Sequence, residues 1–285
     1  MSAMAQKPVL YVEYFSYNSS ISAATVEQIR SSVMTYINET HRVDLIDVAS
    51  VPSLQVEAAR RQSEASLGDE TARIGEMKQA GATHILQGYV SQLSTERRTT
   101  EGSNPTTYYK AVVAYTLKVI DAETGKLLTT KDIILGRGFG DMANGSSPDE
   151  AVTAVLKSNR KKVGEFIDEN FKLKAVVLGE EFTVKGDEIE TCVITLGSDN
   201  GIEKGQPAEV FVVRMVAGRE SQKLIGSLKV TEVLAGDLSQ CKVIKGGKEM
   251  KTAMDEYLKV LAEDSGNARP LTVTTKTKKR AIINF

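Results

Sequence analysis

From Ala175 to Gly246 no apolar pattern keeps a helical period. The segment holds short apolar runs instead, each closed by Gly, Asp or Asn. A chain that alternates this way over about seventy residues can bury its side chains only by wrapping strands into a small barrel or sandwich. Its densest stretch, ITLGSDNGIEKGQPAEVFVV (residues 194–213), could be a ligand cradle or a pair of turns. Gly201 follows Asp199-Asn200 and Gly205 follows Glu203-Lys204, which is turn chemistry. No helix follows either glycine, so no helix N-terminus converges on a phosphate. Both are expected to turn strands.

The first half reads differently. VLYVEYF (residues 9–15) predicts a buried strand. Val26, Ile29, Val33, Tyr36 and Ile37 recur at helical spacing after Ser19, Ser20 or Ser22, any of which can cap. RVDLIDV predicts a second strand. Residues 52–79 predict two helices broken near Gly68 and Asp69, with Gly81 closing the second. Three strands follow. In the middle one, Ala111, Val113, Tyr115, Leu117 and Val119 share a face. A turn at Asp121–Lys126 joins the last two, with Gly125 free to take positive φ. Ser147-Pro148-Asp149-Glu150 opens a helix expected to run to about Phe171.

The predicted fold class is α/β (α+β): a mixed-sheet domain over residues 9–174, then a small all-β barrel-like domain over 175–247. Residues 248–285 are expected to form a helix and a flexible or docking tail carrying Lys276, Lys278, Lys279 and Arg280. Ala3-Met4-Ala5 before Gln6 matches the small-x-small pattern of a signal-peptidase site. Residues 1–8 are therefore expected to be the end of a leader, and the protein to be exported.

Two resemblances sharpen this outline. VLYVEYF, IRSSVMTYI, RVDLIDVAS, AGATHILQGYV, AYTLKVIDAETGKLL and AVTAVLKSNRKKVGEFI stand in order over Val9–Phe171. Together they resemble the periplasmic domain of the curli secretion component and its relatives, which include lipoprotein activators of cell-wall synthases. VITLGSDNGIEKGQPAEVFVV, LIGSLKVTEVLAGD and SQCKVIKGG, over Glu181–Gly247, resemble the C-terminal domain of flagellar assembly protein T, in which an exposed loop separates the first two pieces. The resemblances imply a non-enzymatic scaffold for assembly or interaction in the cell envelope, periplasmic or at the outer-membrane periphery. The alternative they imply is a regulator of an envelope enzyme. A third reading, an unrecognised hydrolase, would need a deep polar pocket with a perturbed acid or histidine, and no residue pattern supports it. A secretion pore is not implied, because RRTTEGSNPTT (residues 97–107) is too short and polar to line a bilayer.

Chemistry finds little support in the residue types. The formal net charge of −1 argues against a nucleic-acid binder. His41 and His84 lack helical histidine partners, and the two cysteines lack CxxC spacing, so no metal site or cofactor is expected. Gly138-x-Gly140-x-x-Ala143 imitates a dinucleotide fingerprint, but no helix opens inside it. His84 sits in a strand with no nucleophile beside it and is expected to be a hydrogen-bonded structural residue. The loop from Gly136 offers Arg137 and Phe139 as partner-binding residues. Cys192 and Cys241 are placed in the first and last strands of the small domain. They are a candidate disulfide if the strands adjoin, and two buried thiols otherwise. Partners are expected to be envelope proteins, with peripheral membrane association and homo-oligomerisation through sheet edges also open.

Overall fold

The computed structural model describes residues 7–50, 81–101, 104–138 and 143–278. The chain divides into two compact units, Lys7–Ile167 and Asp168–Lys279. The expected helices within 52–79 lie outside the described residues.

The first unit is built on a mixed sheet. Strand β1 (Val9–Val12) is second from the sheet edge and parallel to β3 (Asp44–Asp47) on one side and β4 (His84–Thr99) on the other. Antiparallel β5 (Thr107–Asp121) and β6 (Leu127–Leu135) complete the order β3-β1-β4-β5-β6. Two-residue strands β2 (Ser16–Tyr17) and β7 (Asn144–Gly145) lie alongside β4 and β5. The expected strand over residues 9–15 thus ends at Val12, and the chain pairs again only at β2. Helix α1 (Ala23–Asn38) starts at Ser22, whose Oγ accepts the Thr25 amide at 3.2 Å. Its buried stripe is Val26, Ile29, Arg30, Val33 and Ile37.

The helix expected from Ser147 to Phe171 is two helices, α2 (Pro148–Leu156) and α3 (Asn159–Asn170). A buried polar chain explains the break. Tyr115 donates its hydroxyl to Asn159 Oδ1 at 2.6 Å, and Asn159 Nδ2 donates to Ser32 Oγ at 3.0 Å. Asn159 is fully buried and must turn inward to satisfy Tyr115. The turn between Asp121 and Lys126 forms as expected. Asp121 Oδ1 accepts the amides of Glu123 and Thr124 at 3.1 and 2.7 Å, and Gly125 takes φ 67°. Those bonds, with the Thr124 hydroxyl, hold the Asp121 carboxyl below its usual range.

The second unit is a closed antiparallel barrel of six strands. Its order is β10 (Pro207–Val216), β11 (Arg219–Val233), β12 (Ser239–Lys245), β9 (Glu188–Ile194), β8 (Lys174–Lys185) and β13 (Thr272–Thr275). Val177, Ile189, Ile194, Val210, Leu228, Val230 and Val273 fill the core. Helix α4 (Gly247–Glu263) adds Met250 and Met254 to it. Gly246 permits the entry to α4: it has φ 79°, and a Cβ there would lie 2.0 Å from the Ile225 carbonyl. Gly201 and Gly205 have φ 67° and 87° and turn the chain between β9 and β10, as their context predicts.

The tail differs from expectation. Residues 272–275 form β13, paired with both β10 and β8, so they close the barrel. Lys276 and Lys278 bond the carboxylates of Glu209 and Glu203, while Lys279 and Arg280 lie outside the described residues. Thr272 and Thr274 are partly exposed between buried Val273 and Thr275, a four-residue alternation too short to stand out among the lysines. Truncating the chain after Gly266 is expected to abolish cooperative unfolding of the barrel, read as loss of amide-exchange protection in β8 and β10.

Candidate functional site

Two places in the first unit could carry function. The first is the C-terminal end of the parallel strands, where open α/β sheets commonly bind ligands beside a reversal of strand order. Here the protein's own side chain fills it. Arg30, 1% exposed, reaches from α1 to the ends of β1 and β3. Its Nε donates to the Glu13 carbonyl at 2.9 Å and its Nη2 to the Val12 carbonyl at 3.3 Å. Nη1 bonds Glu27 Oε1 at 2.9 Å, and Nη2 also bonds the Asp47 carboxylate. The guanidinium lies 5.0 Å from the centre of the Tyr14 ring. With these acceptors in place the crevice is a structural junction. Sequence reading passed over Arg30, although it falls one turn after Val26 on the buried stripe.

The second is the open face of β4-β5-β6, opposite the face that carries buried Tyr115. Register brings Tyr89, Thr116 and Asp132 into one row, and Gln92, Ala114 and Ile134 into the next. An extra residue, Ser91, makes this possible. The register slips between Val90 and Gln92, which returns Gln92 to the Tyr89 face. Arg137, from the loop after β6, donates to Gln92 Oε1 at 3.0 Å, so it sits at the rim of this face. Thr116 Oγ1 donates to Asp132 Oδ1 at 2.6 Å. Tyr89 and Ile134 are 43% and 40% exposed. An exposed aromatic, an aliphatic and an arginine on a rigid sheet make a surface suited to a protein partner. Phe139, expected beside Arg137, lies outside the described residues.

His84 is half-buried beside Thr83, with its Nδ1 2.9 Å from Thr83 Oγ1. Burial lowers its pKa, and the nearby Asp121 carboxylate opposes that shift. Among the described residues no three His, Cys, Asp or Glu side chains gather in a way that could hold a metal ion.

In the second unit Cys192 and Cys241 face each other in register across β9 and β12. They occupy the second and fifth strands of the barrel, not its first and last. Directly opposed residues in an antiparallel ladder lie about 4.5–5.5 Å apart at Cα, within the span that a disulfide bridges. Both are buried free thiols in this structure. Burial pushes each pKa up to about 12, so neither is a ready nucleophile.

Residues 1–129 match the family model of peptidoglycan-synthase activator LpoB. That is under half of the 285-residue chain. It agrees with the synthase-activator branch of the N-terminal resemblance. A comparison with curated proteins finds no match. Among solved structures, the chain is similar to the LpoB C-terminal domain from Salmonella enterica at 18% identity, over 45% of this chain and 82% of that one, with TM-score 0.28. A lipoprotein from Neisseria meningitidis is similar at 14% identity, over 53% and 96%, with TM-score 0.33. The PelC dodecamer from Paraburkholderia phytofirmans is similar at 17%, over 54% and 86%, with TM-score 0.28. Values this low assign no function to this chain. Among the described residues no helix is long and apolar enough to cross a membrane.

Two outcomes are expected here. Replacing Arg30 with Leu leaves two carbonyls and two carboxylates short of donors and costs about 3 kcal/mol in urea unfolding, with Arg30→Lys intermediate. Iodoacetamide at mildly alkaline pH leaves Cys192 and Cys241 of the reduced native protein unmodified and labels both in denaturant. Masses that coincide with and without reductant in protein isolated under oxidising conditions would exclude a bond between them.

Proposed function

We propose that the protein regulates a peptidoglycan-building enzyme of the bacterial envelope by direct contact, performing no reaction itself. The match of residues 1–129 to the synthase-activator family carries this reading. It is a narrower form of the envelope scaffold expected from the sequence, and it takes the place of the curli and flagellar assembly roles. The proposal places the protein on the periplasmic side of the envelope, where such an enzyme builds its polymer.

The contact surface in this proposal is the open face of β4-β5-β6 with Arg137 at its rim. Two features favour it. Tyr89 and Ile134 are exposed on a sheet whose other face is fully packed, so both hold their positions without a partner. Arg137 is oriented through Gln92 and keeps further guanidinium donors for a carboxylate on the partner. A regulator of this kind acts by binding one state of its enzyme more tightly than another.

The test is polymerisation of lipid-linked precursor by a purified synthase from the same organism, with and without this protein. Stimulation is expected. Tyr89→Ala and Ile134→Asp are expected to weaken it about tenfold or more in half-maximal concentration, as truncation of a central interface residue does. An Ala114→Glu variant, which adds a charge in the middle of the face, is expected to abolish it while leaving the melting temperature nearly unchanged. Unaltered polymerisation, together with no synthase recovered after crosslinking in the native envelope, would falsify the reading.

A further inference from the structure

Beyond the barrel, β10 and β11 continue as a ribbon of two strands. β13 pairs with β10 only as far as Phe211, and β12 pairs with β11 only from Ser227 onward. Val212–Val216 and Arg219–Lys223 therefore pair with each other alone. Ala217 and Gly218, at φ 50° and 75°, form the tight turn at the tip. Five residue steps from Phe211 carry that tip about 17 Å away from the last barrel pairing. This ribbon replaces the exposed loop that the sequence suggested between AEVFVV and LIGSLKV.

Register sorts its side chains. One face carries Phe211 and Leu224, then Val213 and Gln222, then Met215 and Glu220. The other carries Val212 and Lys223, then Arg214 and Ser221, then Val216 and Arg219. All three cations thus share one face, in a zigzag with steps of about 7 Å along the ribbon. They are exposed, and among the described residues none has an ion-pair partner. Met215 and Val216, next to the turn, are the two most exposed large hydrophobic residues described, at 65% and 59%.

We infer that this ribbon inserts its tip into an anionic lipid surface. Three unpaired cations complement anionic headgroups, and the apolar side chains at the end match the region beneath them. The length fits: interfacial elements bury their apolar part about 5–10 Å deep, which the ribbon reaches with the barrel still in water. Geometry favours lipid over a folded acidic partner. The cations and most of the apolar residues lie on opposite faces, with Val216 at the tip. A flat protein surface covers one face, whereas a fluid bilayer surrounds the tip on every side.

The experiment is co-sedimentation of the full chain with vesicles of phosphatidylethanolamine and phosphatidylglycerol, against vesicles of phosphatidylethanolamine and phosphatidylcholine. Strong, salt-sensitive retention on the anionic vesicles alone is expected. Replacing Arg214, Arg219 and Lys223 with Gln should weaken it roughly fivefold per cation removed. Met215→Ser with Val216→Ser should weaken it at unchanged charge. Because the ribbon lies outside the barrel pairing, both variants should melt as the parent does. If either unfolds, an environment-sensitive dye on Ala217→Cys gives an independent reading, since brominated acyl chains quench it only on insertion. Equal retention on both vesicle types, no retention, or an unquenched dye would overturn the inference. So would variants that bind lipid normally but no longer crosslink to the synthase, which would make the ribbon a protein-docking element.

Discussion

Two guanidiniums are buried in the sheet unit, Arg30 and Arg42, and Arg30 is the one that ties α1 to the ends of the parallel strands. Arg30 is held inside by two main-chain carbonyls at the end of β1, by Asp47 at the end of β3 and by Glu27 on its own helix. A charge at that depth is tolerable only when its donors are matched, and the matching fixes how α1 lies across the parallel strands. The same contacts occupy the crevice where a sheet of this type could receive a small molecule. The surface proposed for partner contact lies elsewhere on the sheet, on the open face of β4-β5-β6.

The barrel unit rests on closure. Six strands leave no free sheet edge only because β13, arriving after α4, pairs with both β8 and β10. Closure buries Cys192, Cys241 and the aliphatic core together, and it makes the β10-β11 extension conspicuous as the part of the longest hairpin that the ring does not use. Each unit thus combines a rigid frame with a surface that the frame leaves unsatisfied. In one it is a sheet face bearing Tyr89, Ile134 and Arg137; in the other it is an amphipathic ribbon.

Much of the frame was legible in the residues. The alternation of Ala111 through Val119, the Ser22 cap, the Pro148 start and the Gly125 turn all depend on near neighbours, and all form as their spacing predicts. The candidate site was legible only at one point, Arg137. Gln92 reaches that face through a bulge that no local pattern announces, and Tyr89 and Ile134 meet through register between three strands. Arg30 was hidden because an arginine on an apolar stripe reads as surface until its acceptors are known. The break before Asn159 was hidden for a similar reason, since its cause is Tyr115, forty-four residues earlier.

By itself, the sequence determined the fold class, a mixed α/β sheet followed by a small barrel, and most of the described helices and strands, but not β13 or the break before Asn159. Those properties follow from periods of 3.6 and 2 and from turn chemistry, which act over a few residues. Tertiary structure alone decided which side chains stand opposite one another: Cys192 with Cys241, Gln92 with Arg137, and three cations along one side of a ribbon. A shift of one residue in strand pairing moves every side chain to the other face, and that register is set by packing between segments far apart in the chain.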